Sequence, residues 1–435
     1  MSQQARHVLV LGAYGFIGTQ VVRALRQEGV AVTGLGRDPA ASARVLPDVV
    51  VRHGDMRHMQ SPEDWHPYLT GIDVVINCAG ALQDTASGDL EKLHHGAVAA
   101  LAAAATSAEV AIVQVSAAGA TQEASTEFMR SKARGDAALL ASGARVTILR
   151  PGLVIGQGAF GGTLLLRMLA AVPVIQPVAL PKTPVQSVMI DDVTDAVVAA
   201  AIGRLPTGVY DLVEDTPHSL EDVVSATRRW LGFRPPRLIL RVPDWILPVA
   251  ARLADVAGYL GWRSPLRSTA IAVLKDGVTG NPLAYRTATG RSIPPLDQAL
   301  RSISVGREHR LDARMALMMP VVIATLCLFW FASGLIGVWQ VESAAKLLQV
   351  AGWSALLSKA SVVFWSFVDI ALAIAVLYRP WAGRACLAMV AVSLIYLISA
   401  TIVTPGLWAD PLGPMVKVIP GIMLALIAHQ MLEAR

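Results

Sequence analysis

Short apolar runs alternate with helix-forming segments over the first 152 residues of the chain. The apolar runs read HVLVL (7–11), VAVTGL (30–35), DVVVRHGD (48–55), DVVINCAG (73–80), VAIVQVSA (110–117) and RVTILRPG (145–152). Between them lie segments with apolar residues at helical spacing, such as TQVVRALRQEG (19–29). Buried strands that alternate with helices are typical of a parallel sheet covered on both faces. The pattern therefore predicts an α/β fold with a doubly wound parallel sheet.

The pattern becomes less regular between residues 153 and 305. Two helices are predicted there, because Asp192 and Ser219 each precede apolar residues at helical spacing, as capping residues do. We interpret 153–305 as a small lobe that completes a substrate cleft within a first domain of residues 1–305. The segment 243–262 is amphipathic, and two positions for it stay open: packed on the lobe, or lying on a membrane.

The last part of the chain, residues 306–435, has a different composition. Uncharged apolar stretches cover 315–341, 360–378 apart from Asp369, 385–409 and the shorter 418–432. The lengths of the first three stretches are close to the roughly 20 residues that a helix needs to cross a bilayer. Tryptophans lie near several of their ends. Together with the hydrophobic content of 54%, they predict a bundle of four transmembrane helices. The last stretch contains Pro420 near its start, so whether it crosses completely stays open.

An acidic residue, Asp369, lies near the middle of the second apolar stretch. An ionisable group inside a membrane is costly, so we expect it to face the interior of the bundle. Two interpretations stay open: a functional group, or a packing hydrogen bond to a neighbour such as Ser399 or Thr401.

The charges predict an orientation and exclude one class of partner. Arg307, Arg310 and Arg314 precede the first apolar stretch, and Arg379 and Arg384 separate the second from the third. Because basic loops stay in the cytoplasm, we expect the first domain and the C-terminus to be cytoplasmic. The net charge of +5 is not accompanied by basic runs with interleaved aromatic residues, so no nucleic acid partner is predicted.

Cysteine and histidine residues predict no metal site. Cys78, Cys327 and Cys386 form no cluster with ligand spacing, which suits a reducing compartment. His94 and His95 lie in an alanine-rich segment without the spacing to a carboxylate that a metal site needs. We interpret them as surface or packing residues.

Three glycines, Gly12, Gly15 and Gly18, follow the first apolar run at a spacing of three. In a βαβ unit that binds a dinucleotide, such glycines allow a tight turn, the approach of a pyrophosphate and the packing of helix on strand. The anion then lies at the N-terminus of the helix that begins near Phe16. The alternative is a glycine-rich loop without a ligand. The residues after the later apolar runs distinguish these two interpretations.

The end of the second apolar run predicts which dinucleotide is bound. Gly36 occupies the position at which NAD-selective folds carry an acidic residue for the ribose, and Arg37 follows it. We interpret Arg37 as the partner of a 2′-phosphate, which predicts NADP(H) as the cofactor. The alternative, a solvated loop charge beside Asp38, stays open. At the end of the third run, Asp55 is predicted to accept a hydrogen bond from the adenine amino group.

Further cofactor contacts are predicted where the apolar runs end, because the carboxyl ends of parallel strands form the ligand-binding edge of such a sheet. Small residues after the fourth run fit beside the cofactor, and the turn after the sixth run covers the nicotinamide. The residues concerned are Tyr14, Phe16, Ile17, Met56, Cys78, Ala79, Gly80, Pro151, Gly152 and Val154.

These motifs resemble the extended and atypical short-chain dehydrogenase/reductase family over roughly residues 5–300. They are GAYGFIG (12–18), GRDP (36–39), HGDM (53–56), RPGLVIG (150–156) and IDDVTDAVVAA (190–200). Within the family, the chain is most similar to the group that includes the Rossmann-fold accessory subunit of respiratory complex I. The segment WADPLGPMVKVIPGIMLALIAH (408–429) resembles the DoxX-like four-helix family. Such a fusion looks bacterial, which implies a multi-pass protein of the inner membrane.

The chain departs from this family at the catalytic position. Members use Tyr-x-x-x-Lys, in which the lysine lowers the pKa of the tyrosine and the phenolate exchanges a proton with the substrate. Here the stretch reads FMRSK, so Phe128 replaces the tyrosine, while Lys132 is retained and can bind the nicotinamide ribose. Ser116 is the match, slightly early, to the serine of the family. Lys132 and Ser116 are the predicted catalytic residues, and Ser131 or Tyr14 stays open as a proton donor.

Two functions are compatible with these observations. The first is a membrane-anchored NADP(H)-dependent oxidoreductase that acts on a lipid-soluble compound such as a quinone or an isoprenoid intermediate. The second is a catalytically silent NADPH-binding protein that stabilises or regulates a membrane complex. The first function needs a proton donor other than Phe128, whereas the second needs none.

Overall fold

The computed structural model describes residues 6–82, 89–411 and 413–433. It divides into two compact units. The first unit comprises the chain up to Arg252 together with Pro265–Arg310, and the second comprises Leu253–Ser264 and the chain from Leu311 onwards.

The first unit is built on a parallel sheet of seven strands in the order β3-β2-β1-β4-β5-β6-β11. The strands of the chain are β1 (His7–Leu11), β2 (Ala31–Gly36), β3 (Val51–His53), β4 (Val74–Asn77), β5 (Ala111–Val115), β6 (Val146–Pro151), β7 (Leu153–Ile155), β8 (Ile175–Val178), β9 (Pro184–Val185), β10 (Ser187–Met189), β11 (Gly208–Leu212), β12 (His218–Ser219) and β13 (Leu238–Arg241). The predicted doubly wound parallel sheet is confirmed, and β11 is an additional strand that the sequence pattern did not predict. Short strand pairs join β7 to β10, β9 to β12 and β8 to β13.

Helices cover both faces of this sheet and form most of the second unit. They are α1 (Phe16–Gln27), α2 (Pro39–Val45), α3 (Pro62–Leu69), α4 (Asp89–Glu91), α5 (Ala97–Ser107), α6 (Glu127–Ala141), α7 (Gly162–Ala171), α8 (Ile190–Ala201), α9 (Leu220–Trp230), α10 (Ile246–Tyr259), α11 (Ser268–Asp276), α12 (Leu283–Thr289), α13 (Leu296–Ser302), α14 (Arg307–Trp339), α15 (Val341–Val350), α16 (Ala355–Leu377), α17 (Arg379–Val403) and α18 (Pro414–Glu433). A π-helical turn, Lys92–Gly96, joins α4 to α5.

Residues of β1 show why the sheet needs cover on both faces. Val8 and Val10 belong to one fully buried cluster, and Leu9 and Leu11 belong to the cluster on the other face. Because successive side chains of a strand point to opposite faces, a run without polar residues requires apolar partners on each side. Helices α1 and α8 contribute to the first cluster, and α3 and α5 contribute to the second.

One of the two predicted helix caps in the lobe is wrong. Ser219 caps α9 as predicted, because its hydroxyl accepts a hydrogen bond from the N–H of Asp222 at 3.2 Å. Helix α8 instead begins at Ile190, so Asp191 and Asp192 lie in its first turn. Their carboxylates then interact favourably with the positive end of the helix dipole, but they do not cap the helix.

In the second unit, helices α14, α16, α17 and α18 are long and apolar enough to cross a membrane. The four predicted transmembrane segments are therefore present as four long apolar helices. Helix α18 starts at Pro414, ahead of the predicted start at residue 418, and includes Pro420 as an internal residue. Helix α15, between the first two long helices, was not predicted.

Asp369 is buried among the long helices, as expected from its sequence position. Its carboxylate accepts hydrogen bonds from the hydroxyl of Ser333 on α14 at 2.7 Å and from the hydroxyl of Tyr396 on α17 at 2.8 Å. The predicted kind of bond is present, but the partners differ from Ser399 and Thr401. Sequence spacing could not identify them, since they depend on how the helices rotate against each other.

We expect Asp369→Leu to lower the free energy of unfolding of the bundle. The change leaves the hydroxyl groups of Ser333 and Tyr396 without their shared acceptor, and each such bond is worth roughly 0.6–2 kcal/mol in a membrane. The measurement is denaturant unfolding of the full chain in detergent, with the exposed Phe367 changed to Leu as the matched control on the same helix. Equal stability of Asp369→Leu and wild type would contradict this expectation.

Candidate functional site

The turn between β1 and α1 carries the three glycines of the predicted phosphate loop. Gly12 has a φ of +69°, and a Cβ added to it would lie 2.9 Å from the Cα of Ala79, in the turn after β4. A Cβ on Gly18 would lie 2.2 Å from the carbonyl oxygen of Gly12, so α1 begins directly against the turn. Gly15 is the N-cap residue and places no side chain over the first turn. The backbone N–H groups in the first turn of α1 can therefore bind an anion, which fits a pyrophosphate.

Tyr14 fills the space beside Gly36 at the end of β2. Its hydroxyl oxygen accepts hydrogen bonds from the backbone N–H groups of Arg37 at 3.1 Å and Asp38 at 2.9 Å. A Cβ on Gly36 would lie 2.1 Å from Cε1 of Tyr14. No side chain fits at position 36 while Tyr14 keeps this position, so the acidic residue typical of NAD-selective sites would require Tyr14 to move.

Arg37 lies in the exposed turn that follows β2. The carboxylate of the neighbouring Asp38 accepts a hydrogen bond from the N–H of Ala41 at 3.0 Å and caps α2, so it is directed toward that helix. The pKa of Asp55 is lowered first by hydrogen bonds from Arg57 and to a smaller extent by the charge of Arg37. Arg37 and Asp55 therefore lie close enough to interact, at the same edge of the sheet.

Asp55 is held by an ion pair in the turn after β3. Its carboxylate accepts a hydrogen bond from Nε of Arg57 at 3.0 Å and another from the backbone N–H of Arg57 at 3.1 Å. Arg57 also donates to Asp89 at 2.9 Å. The predicted adenine contact would have to share an oxygen with Arg57. The side chain of Met56 is buried in the core that includes Leu35.

Lys132 is buried on α6 and reaches the end of β5. Its Nζ donates a hydrogen bond to the carbonyl oxygen of Val115 at 3.2 Å. Burial lowers the pKa of the ammonium group, while the charge of Asp136 acts in the opposite direction. The ring centre of Phe128 lies 5.8 Å from Nζ. Phe128 packs against the buried cluster of Ala120, Met129 and Ala133, so this wall of the site is apolar.

His94 lies in the same pocket, a position that the sequence did not predict. Its Nε2 accepts a hydrogen bond from the N–H of Ala81 at 3.2 Å, so the proton is on Nδ1, which lies 3.0 Å from the hydroxyl of Ser131. That hydroxyl donates in turn to the carbonyl of Phe128 at 3.1 Å. Burial, with a contribution from the charge of Lys132, lowers the pKa of His94 to about 2. His94 therefore stays neutral, and its packing role agrees with the prediction.

Ser116 is committed to a different network. Its hydroxyl donates to Oδ2 of Asp136 at 2.9 Å, and the same oxygen accepts a hydrogen bond from Nε of Arg150 at 2.9 Å. Ser116 and Asp136 are both buried. The hydroxyl proton of Ser116 therefore points to Asp136 and not to the place of a substrate, as its predicted catalytic role would require.

The remaining predicted residues lie on α1, after β4 and at the end of β6. Phe16 stacks on Phe160, with ring centres 5.8 Å apart, and borders a cavity of about 250 Å³ that Gly156 and Ile190 also line. A Cβ on Gly152 would lie 2.4 Å from the carbonyl oxygen of Gln186, so the turn after β6 is closely packed. Ile17, Cys78 and Val154 are partly buried against the sheet, Ala79 packs on its other face, and Pro151 ends β6. Burial raises the pKa of Cys78 to about 12, which keeps the thiol neutral.

Gly80 completes the pocket between His94 and Lys132. A Cβ on Gly80 would lie 3.6 Å from Nε2 of His94 and 3.8 Å from Nζ of Lys132. Both distances are ordinary van der Waals contacts, so Gly80 lies directly beside these two buried side chains. Among the described residues, no group of three or more His, Cys, Asp or Glu side chains could hold a metal ion.

Two protein families match the chain. Residues 12–166 match the NAD(P)H-binding family, and residues 327–426 match the DoxX-like family. The chain therefore combines an NAD(P)-binding Rossmann domain, which takes a nicotinamide cofactor, with a C-terminal DoxX-like domain in the membrane. This combination confirms the resemblance stated from the motifs.

Individual proteins are also similar to the chain. The ceramide reductase of Caulobacter vibrioides (strain NA1000 / CB15N) is 28% identical over 260 residues, which are 59% of this chain and 80% of that protein. The WbmH enzyme of Bordetella bronchiseptica, solved in complex with NAD+, is 16% identical with a TM-score of 0.52, covering 68% of this chain and 96% of its own. The dTDP-glucose 4,6-dehydratase of Bacillus anthracis str. Ames, in complex with NAD, is 14% identical with a TM-score of 0.51 and the same two coverages. These two structures share the fold alone.

Proposed function

We propose that the protein is a membrane-anchored, NADP(H)-dependent reductase that acts on the carbonyl group of a lipid. The observation that carries the proposal is the fusion of a nucleotide-binding turn to four apolar helices in a chain similar to a ceramide reductase. A lipid substrate stays in the bilayer, so an anchored enzyme meets it there. Long-chain lipids that carry a keto group beside an amide are the favoured substrates, and quinones and isoprenoid carbonyls belong to the same lipid-soluble class.

The choice of NADP(H) over NAD(H) is supported by the turn after β2. Gly36 cannot carry an acidic side chain beside Tyr14, and the carboxylate of Asp38 is directed toward α2. Arg37 is then the charged side chain available to a 2′-phosphate. Its planar guanidinium group suits two hydrogen bonds to phosphate oxygens.

We expect Arg37→Ala to weaken NADPH binding by roughly 1.5–3 kcal/mol, about 10–150-fold, because a hydrogen bond between charged groups is lost. NADH lacks the 2′-phosphate, so its affinity is expected to stay unchanged. Titration of both nucleotides with the full-length protein measures the effect, and the exposed Arg26 changed to Ala is the matched control. Equal affinities of wild type for NADPH and NADH would contradict the cofactor assignment.

The proposed reaction needs a hydride and a proton. When bound, the reduced nicotinamide supplies the hydride to the carbonyl carbon. Phe128 has no proton to donate, and the proton of Ser116 is directed to Asp136. We assign delivery of the proton at the carbonyl oxygen to Nζ of Lys132, because burial lowers its pKa and makes it a stronger acid than an exposed lysine.

The second candidate function is a silent NADPH-binding protein that supports a membrane complex, and Phe128 is the observation that favours it. Oxidation of NADPH by the protein in liposomes separates the two functions. The samples contain a long-chain keto lipid, a quinone or a water-soluble ketone at equal carbonyl concentration. A reductase oxidises NADPH with one of the lipids and far more slowly with the water-soluble ketone. A silent protein binds NADPH and turns over none of them.

The proposed location is the inner membrane of a bacterium, with the domain boundary at residues 305 and 306. Reporter fusions at Ala382 and at the C-terminus are expected to read cytoplasmic, and a fusion at Pro411 periplasmic, because four helices return the chain to its starting side. The arginines before α14 and between α16 and α17 support this orientation. A periplasmic reading at the C-terminus would mean that α18 does not span.

A further inference from the structure

Helix α10 exposes an apolar stripe along one side. The stripe consists of Trp245 (72% exposed), directly before the helix, and of Val249 (50%), Leu253 (68%), Val256 (58%) and Tyr259 (85%) on it. These residues recur every three or four positions and so share one face of the helix. On the opposite face, Ala251 and Ala254 are buried. A helix in water carries polar residues on its exposed face, so this stripe indicates an apolar surrounding.

The end of α10 is bonded to the junction between α16 and α17. The indole N–H of Trp262 donates to the carbonyl oxygen of Leu377 at 2.6 Å. The backbone N–H of Arg379 donates to the carbonyl oxygen of Leu260 at 2.9 Å. The guanidinium group of Arg379 lies 5.8 Å from the ring centre of Trp262. These contacts attach the last turn of α10 to the ends of two long apolar helices.

This junction has the composition of a boundary between membrane and water. Tyr378 and Trp381 are exposed and pack edge to face, with ring centres 5.6 Å apart. Arg379 and Arg384 lie in the same short segment. Aromatic residues and arginines concentrate where spanning helices enter the headgroup region on the cytoplasmic side. The C-terminal end of α10 is therefore held at the depth of the lipid headgroups.

We propose that α10 is an interfacial helix whose apolar stripe inserts into the cytoplasmic leaflet. Such helices bury their apolar face about 5–10 Å into the boundary between headgroups and acyl chains. The occupant is a phospholipid bilayer, because the helix is bonded to segments that cross it. Arg252 lies at the edge of the stripe and is exposed, so its guanidinium group can reach anionic headgroups. This surface goes beyond the proposed reaction and does not depend on turnover.

Spin labels on the full-length protein in liposomes of phosphatidylethanolamine and phosphatidylglycerol test the proposal. Single cysteines are introduced as Val249→Cys, Leu253→Cys and Val256→Cys after the three native cysteines are replaced. The matched control is Leu140→Cys, an exposed apolar position on α6. We expect labels on the stripe to be more accessible to oxygen and less accessible to a water-soluble nickel chelate than the label at the control position.

Two outcomes would overturn the proposal. Labels on the stripe that reach the nickel chelate as freely as the control label would show that the stripe is hydrated. Labels shielded from both reagents would show that a protein surface covers it. If a cysteine variant fails to fold, wild-type protein in liposomes of photoactivatable phospholipid decides the question. Crosslinks within residues 245–259 support the proposal, and crosslinks confined to the long helices contradict it.

Discussion

Phe128→Tyr is expected to raise the rate of carbonyl reduction roughly 10²–10⁴-fold, which is the usual contribution of a positioned general acid. The substitution adds a hydroxyl to a ring whose centre lies 5.8 Å from Nζ of Lys132. The positive charge of Lys132 lowers the pKa of that hydroxyl and prepares it to release a proton to the substrate oxygen. The surrounding alanines leave the rest of the wall apolar. The measurement is the steady-state oxidation of NADPH in liposomes with the keto lipid.

Two further variants make this prediction specific. Phe128→Leu keeps the wall apolar and adds no hydroxyl, so its rate should stay close to that of wild type. Lys132→Met combined with Phe128→Tyr should lose most of the gain, because the hydroxyl then lacks the neighbouring charge. If Phe128→Tyr and Phe128→Leu gave equal rates, the added hydroxyl would deliver no proton to the substrate, and this prediction would be wrong.

The sheet was predictable because its central strands are apolar on both faces. Val8 to Leu11 can be buried only between two layers of helices, and the runs of β4, β5 and β6 repeat that requirement. Strand β11 was missed for the opposite reason. Its residues, Gly208–Leu212, alternate between buried and partly exposed positions at the edge of the sheet, and the segment carries no continuous apolar run.

The tight turn between β1 and α1 was predictable from glycine spacing, whereas the surroundings of Phe128 were only partly so. The motif FMRSK placed Phe128 and Lys132 one helical turn apart, and the structure keeps them together. His94 enters this pocket because a π-helical turn precedes α5 and because α6 approaches it closely at Gly135. A Cβ on Gly135 would lie 2.0 Å from the carbonyl oxygen of His94. Contacts of this kind depend on tertiary packing, which local sequence does not encode.

The roles of polar residues were predicted less well than their locations. Ser116 does follow β5, but its hydroxyl bonds to Asp136 on α6, one turn beyond Lys132. Asp136 in turn pairs with Arg150 on β6. Asp136 is 20 residues from Ser116 and 14 residues from Arg150 along the chain, so sequence spacing alone cannot identify it as their shared partner.

The second large effect is expected at position 36, where Gly36→Asp should impair the binding of both nucleotides. A Cβ at this position meets the ring of Tyr14 at 2.1 Å, so Tyr14 must leave its place. The N–H groups of Arg37 and Asp38 then lose their shared acceptor. Overpacking of this kind costs about 1–3 kcal/mol of unfolding free energy. The displaced ring also disturbs the phosphate loop, so neither NADPH nor NADH should bind as in wild type.

Tyr14→Ala is expected to rescue the acidic variant for one nucleotide only. With the ring removed, the carboxylate of the double variant Tyr14→Ala/Gly36→Asp has room to accept hydrogen bonds from the ribose hydroxyl groups of NADH. The same carboxylate repels a 2′-phosphate, so NADPH binding should stay weak. The preference should shift toward NADH by roughly 10–150-fold, which corresponds to about 1.5–3 kcal/mol for one hydrogen bond between charged groups.

The affinities of NADPH and NADH are measured by titration for wild type, the two single variants and the double variant. Together these four proteins form a double-mutant cycle. Tyr14→Phe is the matched control, because it keeps the ring and removes only the hydroxyl that accepts from Arg37 and Asp38. Unfolding of the same samples separates lost binding from lost folding. Because the ring of Tyr14 and not its hydroxyl fills the space beside position 36, Gly36→Asp with Tyr14→Phe should remain as impaired as Gly36→Asp alone. Tight NADH binding by Gly36→Asp alone would show that Tyr14 does not restrict position 36.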